Sequence, residues 1–279
     1  MKIGIIGSGR VGYSMGRYLA DNEVEVIGYY DRHEARAADA AAFTQTKSFG
    51  GLSQLVKLSD TLFITTQDGE IAKAWDHISQ FNLQEKLICH FSGSLSSDVF
   101  TGIDQTGAYG VSIHPMLAFS DKYNSYKQLK NAYFTAEGHP KAVAAMKEMF
   151  ASLGNVVREI SAENKALYHC ATSVLSNHVV AVLQSGYEML EKCGFTPEEA
   201  MEATSSLVRL NMENVLANGT VEALTGPIER NDIGTVKKHL SQLDEDQKLR
   251  YKAMGVKLVE ISKQKNPGRD YGEMLEVLK

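Results

Sequence analysis

The chain has little cysteine and no pattern for pairing it. Cys89, Cys170 and Cys193 are the only three in 279 residues, an odd number without a C-x-x-C spacing. That argues against a disulfide framework and suits a reduced, cytoplasmic setting, with a small buried hydrophobe as the expected role of all three. A metal set is missing too. Of the eight histidines the closest pair is His169 and His178, whose spacing puts them on opposite sides of a helix, so no metal is expected. There is no basic run, and the net charge of −5 with a pI near 5.9 argues against a general nucleic-acid binder. The N-terminal apolar run breaks at once into glycines, so it does not resemble a signal peptide, and no apolar stretch reads as long enough to span a bilayer. Internal repeats, low-complexity tracts and long linkers are absent. What remains is an ordinary globular composition, 43% hydrophobic and 23% charged, in a chain long enough for two modest domains.

The strongest positive signal lies at the start. Lys2 to Ile6 reads as a buried strand, and Gly7, Gly9 and Gly12 follow at G-x-G-x-x-G spacing with Ser8, Arg10 and Val11 between them, before a helical stretch to Asp21. Gly7 permits the tight turn, Gly9 leaves room for a pyrophosphate, and Gly12 lets helix and strand pack closely. The helix N-terminus adds free N–H groups and a positive dipole end. A second strand, residues 24–30, ends in Asp31, near the position from which an acid holds the adenosine ribose. Together these imply a bound dinucleotide. Asp31 would repel a 2′-phosphate, whereas Arg32 and Arg36 would neutralise one, or would simply form a solvated basic turn. The balance leans slightly to NADP(H), with NAD(H) left open.

Strands and helices then alternate to residue 160, the pattern of a doubly wound, mostly parallel α/β sheet. Residues 60–66 form a strand whose C-terminal end places Thr65, Thr66, Gln67 and Asp68 beside the cofactor. The strand at 86–91 carries Ser92, Gly93 and Ser94 at its tip, as substrate or nicotinamide contacts or as a turn capping the next helix. The strand at 109–113 ends in His114-Pro115, a rigid turn whose imidazole is a candidate for the substrate pocket. Strand 132–136, helix 140–153 and strand 155–160 complete a first domain, 1–160. No convincing strand follows, so 161–279 reads as an all-α domain. Ser161 is the expected N-cap of a helix to about Cys193. Thr196-Pro197-Glu198-Glu199 opens the next with a capping box, and that helix fades near Asn218-Gly219. Further helices are expected at 233–243 and 245–263.

On the helix from Ser161, Lys165, His169, Thr172, Ser173, Ser176 and Asn177 share one side of an otherwise apolar surface. A mostly apolar helix is expected to be buried, with its polar stripe finding partners. An unpaired ammonium there is costly, so Lys165 facing a cleft is a candidate proton donor with a depressed pKa. In the loop Leu224–Asp232, Gly226-Pro227 reads as turn chemistry and Asp232 as a helix cap, leaving Arg230 or Asn231 for the pocket.

With these segments together, the chain resembles the 6-phosphogluconate dehydrogenase-like superfamily. More closely, it resembles Rossmann-like oxidoreductases whose C-terminal helical domain long carried only an unknown-function label. The matching segments are Gly7 to Gly12, His90-Phe91-Ser92-Gly93-Ser94, Ser112-Ile113-His114-Pro115, Lys165 to His169 with Ser176-Asn177-His178, and Leu224 to Pro227. Some members are alternative ketopantoate reductases of the PanG type. The resemblance implies hydride transfer to the C2 ketone of 2-dehydropantoate, with Lys165 polarising and protonating the oxygen, Asn177 orienting the substrate, and Ser92, Gly93 or Ser94 meeting its carboxylate. It also implies a homodimer built by the helical domain. One position departs: many relatives carry Asn where this chain has His169, which could bind substrate or relay a proton. The alternatives are a reductase or dehydrogenase for another small hydroxy acid, keto acid or imino acid, and a dinucleotide-binding sensor that does no chemistry.

Overall fold

The computed structural model describes residues 1–279 and divides into two compact units, Met1–His178 and Val179–Lys279. The first contains, in chain order, β1 (Ile3–Ile6), α1 (Arg10–Asp21), β2 (Val26–Tyr30), α2 (Glu34–Thr44), β3 (Lys47–Ser48), α3 (Leu52–Leu58), β4 (Thr61–Ile64), α4 (Asp68–Ile78), β5 (Leu87–His90), β6 (Tyr109–Pro115), β7 (Tyr133–Gly138), α5 (Pro140–Ser152), β8 (Val156–Glu159) and α6 (Lys165–Ser173). Its sheet has the order β3-β2-β1-β4-β5-β6-β7-β8, parallel throughout except where β7 runs against β6.

The central strands β1, β4 and β5 are buried along their whole length, as expected where helices cover both faces of a parallel sheet. Alternate side chains feed two cores. Ile3, Ile5 and Phe63 join Tyr13, Met15, Leu19 and Phe134 on one face, while Ile6, Leu62 and Ile64 join Leu55, Trp75 and Phe100 on the other. This sheet confirms the α/β class and the alternation expected from the sequence. It adds elements that the sequence pattern does not reveal: the two-residue edge strand β3, and α3, which is only seven residues long. The turn after Ser94 is a single 3-10 turn, Ser97–Val99, capped by the Ser96 side chain.

The helical region departs from expectation in three ways. Ser161 makes no side-chain cap; a 3-10 turn at Ala162–Asn164 leads into α6, and a π-turn at Val174–His178 joins α6 to α7 (Val179–Lys192). The first compact unit therefore extends past residue 160 to His178, because the start of α6 is anchored on the strand ends described below. Only Lys165 is buried on α6, and nothing on α7 is, so the apolar side expected to be covered is exposed within the chain. The run Ala162–Lys192 has 31 residues and an 18-residue window of mean hydropathy 1.3. By length and composition it could cross a bilayer, which corrects the expectation that no stretch could. Its polar stripe hides this at first reading, because the polar groups cluster in the N-terminal part. Cys170 and Cys193 also turn out exposed, and only Cys89 is a buried hydrophobe.

In the second unit, α8 (Pro197–Ala223) opens with the expected capping box, in which Thr196 and Glu199 exchange bonds, and it kinks at Gly219, whose φ is +80°. Next come α9 (Ile233–Gln242), capped by Asp232, α10 (Glu245–Lys265) and a short terminal α11 (Gly272–Leu278). Ile228, Val236, Val259, Tyr271, Met274 and Leu278 make a small core of their own.

Candidate active site

The glycine turn is built for an anion. Gly7 sits at φ +102°, a conformation that side chains resist. A Cβ on Gly12 would lie 2.5 Å from the Gly7 carbonyl oxygen and 2.6 Å from Thr65 Oγ1, so only glycine fits there. At Gly9 the nearest atom would be 3.7 Å away, which leaves that face open. No side chain caps α1, so its first N–H groups stay free for a phosphate. Thr65 Oγ1 donates to Gly7 O at 2.8 Å and locks the turn to the end of β4. Beside it, the Thr66 hydroxyl is shielded from solvent and has no partner. Asp31 Oδ2 accepts from Ser8 N and Oγ at 2.9 and 3.0 Å, and Oδ1 from His33 N at 2.9 Å. Arg32 is exposed, with only a long 3.5 Å contact to Glu70, and Arg10 is exposed as well. An open, glycine-lined cradle with an orphaned hydroxyl and a fixed carboxylate fits a dinucleotide.

The second part of the site lies at the ends of β5 and β6. Ser112 and His114 share one face of β6, and Lys165 and Tyr168 share one side of α6. Lys165 Nζ donates to Ser112 Oγ at 2.7 Å and to Ser92 O at 3.0 Å, while Tyr168 Oη and His114 Nδ1 are 2.8 Å apart. Lys165 is 1% exposed and has no ion pair; burial brings its pKa down from 10.5 to about 8, against the pull of Glu137, Cys89 and Asp68. Glu137 is itself buried, accepts from Ser97 N and Oγ at 2.6 and 3.0 Å, and has its pKa raised by burial. His90 is fully buried and satisfied: Nε2 bonds to Ser96 O and Nδ1 accepts from Ser92 N, with burial lowering its pKa to about 4.

Gly93 is where two imidazoles converge. A Cβ there would lie 2.5 Å from His169 Nδ1 and 2.9 Å from His114 Nε2. The two rings stand edge to face, 6.0 Å apart, and His169 Nδ1 is shielded without a partner. Burial, with Lys165 and His169 nearby, lowers the His114 pKa to about 4.

Several expected site residues stand differently. The hydroxyls of Ser92 and Ser94 both donate to Asp68 Oδ2, at 2.7 and 3.0 Å, so an incoming carboxylate would meet a negative charge there. Asn177 is exposed, its amide oxygen taken by Ser176 Oγ at 3.1 Å, and Ser173 is half-buried. Arg230 and Asn231 belong to the second unit, where Asn231 is in the left-handed region and its amide nitrogen donates to Asp270 O. The sequence reading did not single out Tyr168 or Ser112 as site residues, although the i, i+2 and i, i+3 spacings that align Ser112 with His114 and Lys165 with Tyr168 are visible in it.

Comparison with known proteins now bears on this geometry. Residues 1–89 match the oxidoreductase family with an NAD-binding Rossmann fold. Residues 132–258 match a domain of unknown function, DUF2520. The chain thus joins a segment similar to NAD-binding Rossmann oxidoreductases to a segment that matches DUF2520. The chain has no match among curated proteins. Its fold is similar to that of a Thermotoga maritima protein at 20% identity and a TM-score of 0.73, over 94% of this chain and 98% of that one. A Bacteroides fragilis protein described as an NADP oxidoreductase is similar at 20% identity and 0.70, over 95% and 98%. A pyrroline-5-carboxylate reductase from Coxiella burnetii is similar at 14% identity and 0.64, over 95% and 97%.

Proposed function

We propose that this oxidoreductase reduces a small 2-keto acid with NAD(P)H, and that 2-dehydropantoate, giving pantoate for coenzyme A synthesis, is its substrate. The observation that carries the reading is Lys165, a buried ammonium without a counter-ion beside two imidazoles over Gly93. A site of that charge stabilises the oxyanion that develops as a carbonyl is reduced, and it disfavours a substrate that is already a cation. The dinucleotide, when bound, supplies the hydride. Because both donor bonds of Lys165 go to Ser92 and Ser112, its role is to hold positive charge behind the reacting oxygen. His169, one helical turn later and unpartnered, gives that oxygen its proton. Relative to the expectation from the resemblance, this moves delivery of the proton from Lys165 to His169 and leaves Lys165 to polarise the oxygen. Arg32 and Arg36 favour NADP(H) on the same reasoning as in the sequence.

The test follows NADPH and NADH oxidation by absorbance with 2-dehydropantoate, for the wild type and Lys165→Ala. Turnover that collapses in the variant while dinucleotide binding survives supports the reading; tight binding with no turnover refutes the substrate. A second reading, reduction of an imino acid, rests on Asp68, whose carboxylate at the Ser92–Ser94 turn would favour an iminium. A panel of imines with the same assay separates the two, and silence on both panels leaves a dinucleotide sensor.

Two further expectations belong to this proposal. The enzyme is a homodimer through its helices, since Val180, Val182, Leu207, Leu210 and Leu216 are all more than half exposed in the single chain. Light scattering of the wild type against Leu207→Glu and Leu216→Glu checks it, with a monomeric wild type refuting it. The exposed thiols Cys170 and Cys193 suit a reducing, cytoplasmic location.

A further inference from the structure

Tyr168 has no direct part in the reaction just described, yet its hydroxyl is placed on one nitrogen of an imidazole whose other nitrogen faces Gly93. A neutral imidazole carries one proton, and its partner decides which nitrogen holds it. We propose that Tyr168 is a positioning residue: it donates to His114 Nδ1, which holds His114 in the Nε2–H tautomer and turns an N–H donor towards the substrate oxygen over Gly93. The proposal rests on the keto-acid reading for the identity of that oxygen, but the tautomer itself does not depend on any substrate.

Three observations fix the direction of the bond. A phenol is the more acidic donor and an imidazole lone pair the more basic acceptor, so O–H to N is the stronger of the two arrangements. Burial keeps Tyr168 in its protonated form, its pKa being raised, and keeps His114 neutral. Thr135 stands directly opposite His114 in the antiparallel β6–β7 pair, so the two side chains share a face. The Thr135 hydroxyl is buried and makes no hydrogen bond, so it does not take the phenol proton. The phenol's own proton is therefore left for His114 Nδ1, the one hydrogen-bond partner of Tyr168 Oη. The two aromatic rings meet edge to face at 5.6 Å, which holds the phenol over one side of the imidazole. The result is a Tyr168 to His114 bond that leaves a neutral N–H at Nε2, beside the unpartnered His169 Nδ1. The two imidazoles that converge at Gly93 then form a cradle for one oxygen atom, backed by the charge of Lys165.

Nitrogen-15 NMR of histidine-labelled, ligand-free protein reads the tautomer directly. The expected spectrum gives His114 a protonated Nε2 and a lone-pair Nδ1, and Tyr168→Phe shifts it to a mixture. A wild-type Nδ1–H tautomer, or a Tyr168→Phe spectrum unchanged at His114, overturns the proposal. Kinetics with the keto acid then ask whether the tautomer matters. Tyr168→Phe lowers kcat by at least about tenfold with dinucleotide affinity unchanged. In a His114→Gln background, where the amide N–H needs no tautomer, adding Tyr168→Phe has no further effect; an equal loss there would mean that Tyr168 only packs and would also overturn it. If the spectra come out as expected and no keto acid is turned over, the tautomer stands and the substrate assignment falls.

Discussion

Replacing Lys165 by Met should make the protein more stable and less active at once. The side chain is 1% exposed and its ammonium has hydrogen bonds but no ion pair, and burial lowers its pKa from 10.5 to about 8. Each tenfold loss of proton affinity is worth about 1.4 kcal/mol, so holding the charged form in the folded state costs at most about 3 kcal/mol at neutral pH. Methionine has a similar volume and no charge to bury. Ser112 Oγ keeps its own longer bonds to Ser92 O and Leu95 O, so neither former acceptor loses every partner. The expected gain at pH 7 is therefore about 1–3 kcal/mol. The sign of the pH dependence follows from the lowered pKa. Between about 8 and 10.5 the unfolded chain binds the extra proton and the folded chain does not, so wild-type stability rises across that window. Lys165→Met lacks this rise, and the gap between the two proteins closes as pH increases. Urea unfolding at several pH values measures it, alongside turnover. A variant less stable than the wild type at pH 7, or a gap that does not change with pH, would refute the picture of an uncompensated charge kept for function.

The remaining predictions test other parts of the site. If the charge on Lys165 is what stabilises the oxyanion, kcat falls as pH rises through about 8, and that limb disappears in Lys165→Arg if any activity survives. Gly93→Ala puts a Cβ 2.5 Å from His169 Nδ1 and 2.9 Å from His114 Nε2, so kcat/KM should drop roughly 100-fold while the melting temperature and dinucleotide affinity hold. Full activity in the Gly93→Ala variant would remove both imidazoles from the mechanism. Arg32→Ser should raise KM for NADPH roughly tenfold, the scale of one lost charge-assisted contact, and leave NADH unchanged; equal changes for both cofactors would end the case for a 2′-phosphate.

These tests concentrate where the sequence was least informative. The dinucleotide half was legible because its determinants are local. The three glycines, the helix after them and Asp31 lie within a single strand-helix-strand unit, and the structure uses each within that unit. The caps at Thr196 and Asp232 were legible for the same reason, since a cap is decided within four residues. The reacting end is non-local. The acceptors of Lys165 lie 73 and 53 residues before it, and no periodicity links them. The polar stripe therefore singled out this helix and Lys165 without showing that Lys165 would be buried behind Ser92, or that Asp68 would already occupy the Ser92 and Ser94 hydroxyls.

The exposed face of the 162–192 run was misread for a related reason. Helical periodicity says which residues want cover, but not whether the cover comes from this chain, a second copy or a lipid phase. Lys165 narrows that choice. At one end of the run its ammonium is buried against Ser92 and Ser112 of the first unit, so that end is tied to a folded sheet. The apolar exposure also continues onto α8, at Leu207, Leu210 and Leu216, which is more than one spanning helix would require. Exposed apolar side chains on both α7 and α8 are what the proposed second copy of the chain would cover, so a wild-type protein that partitions into vesicles as a monomer would overturn this reading.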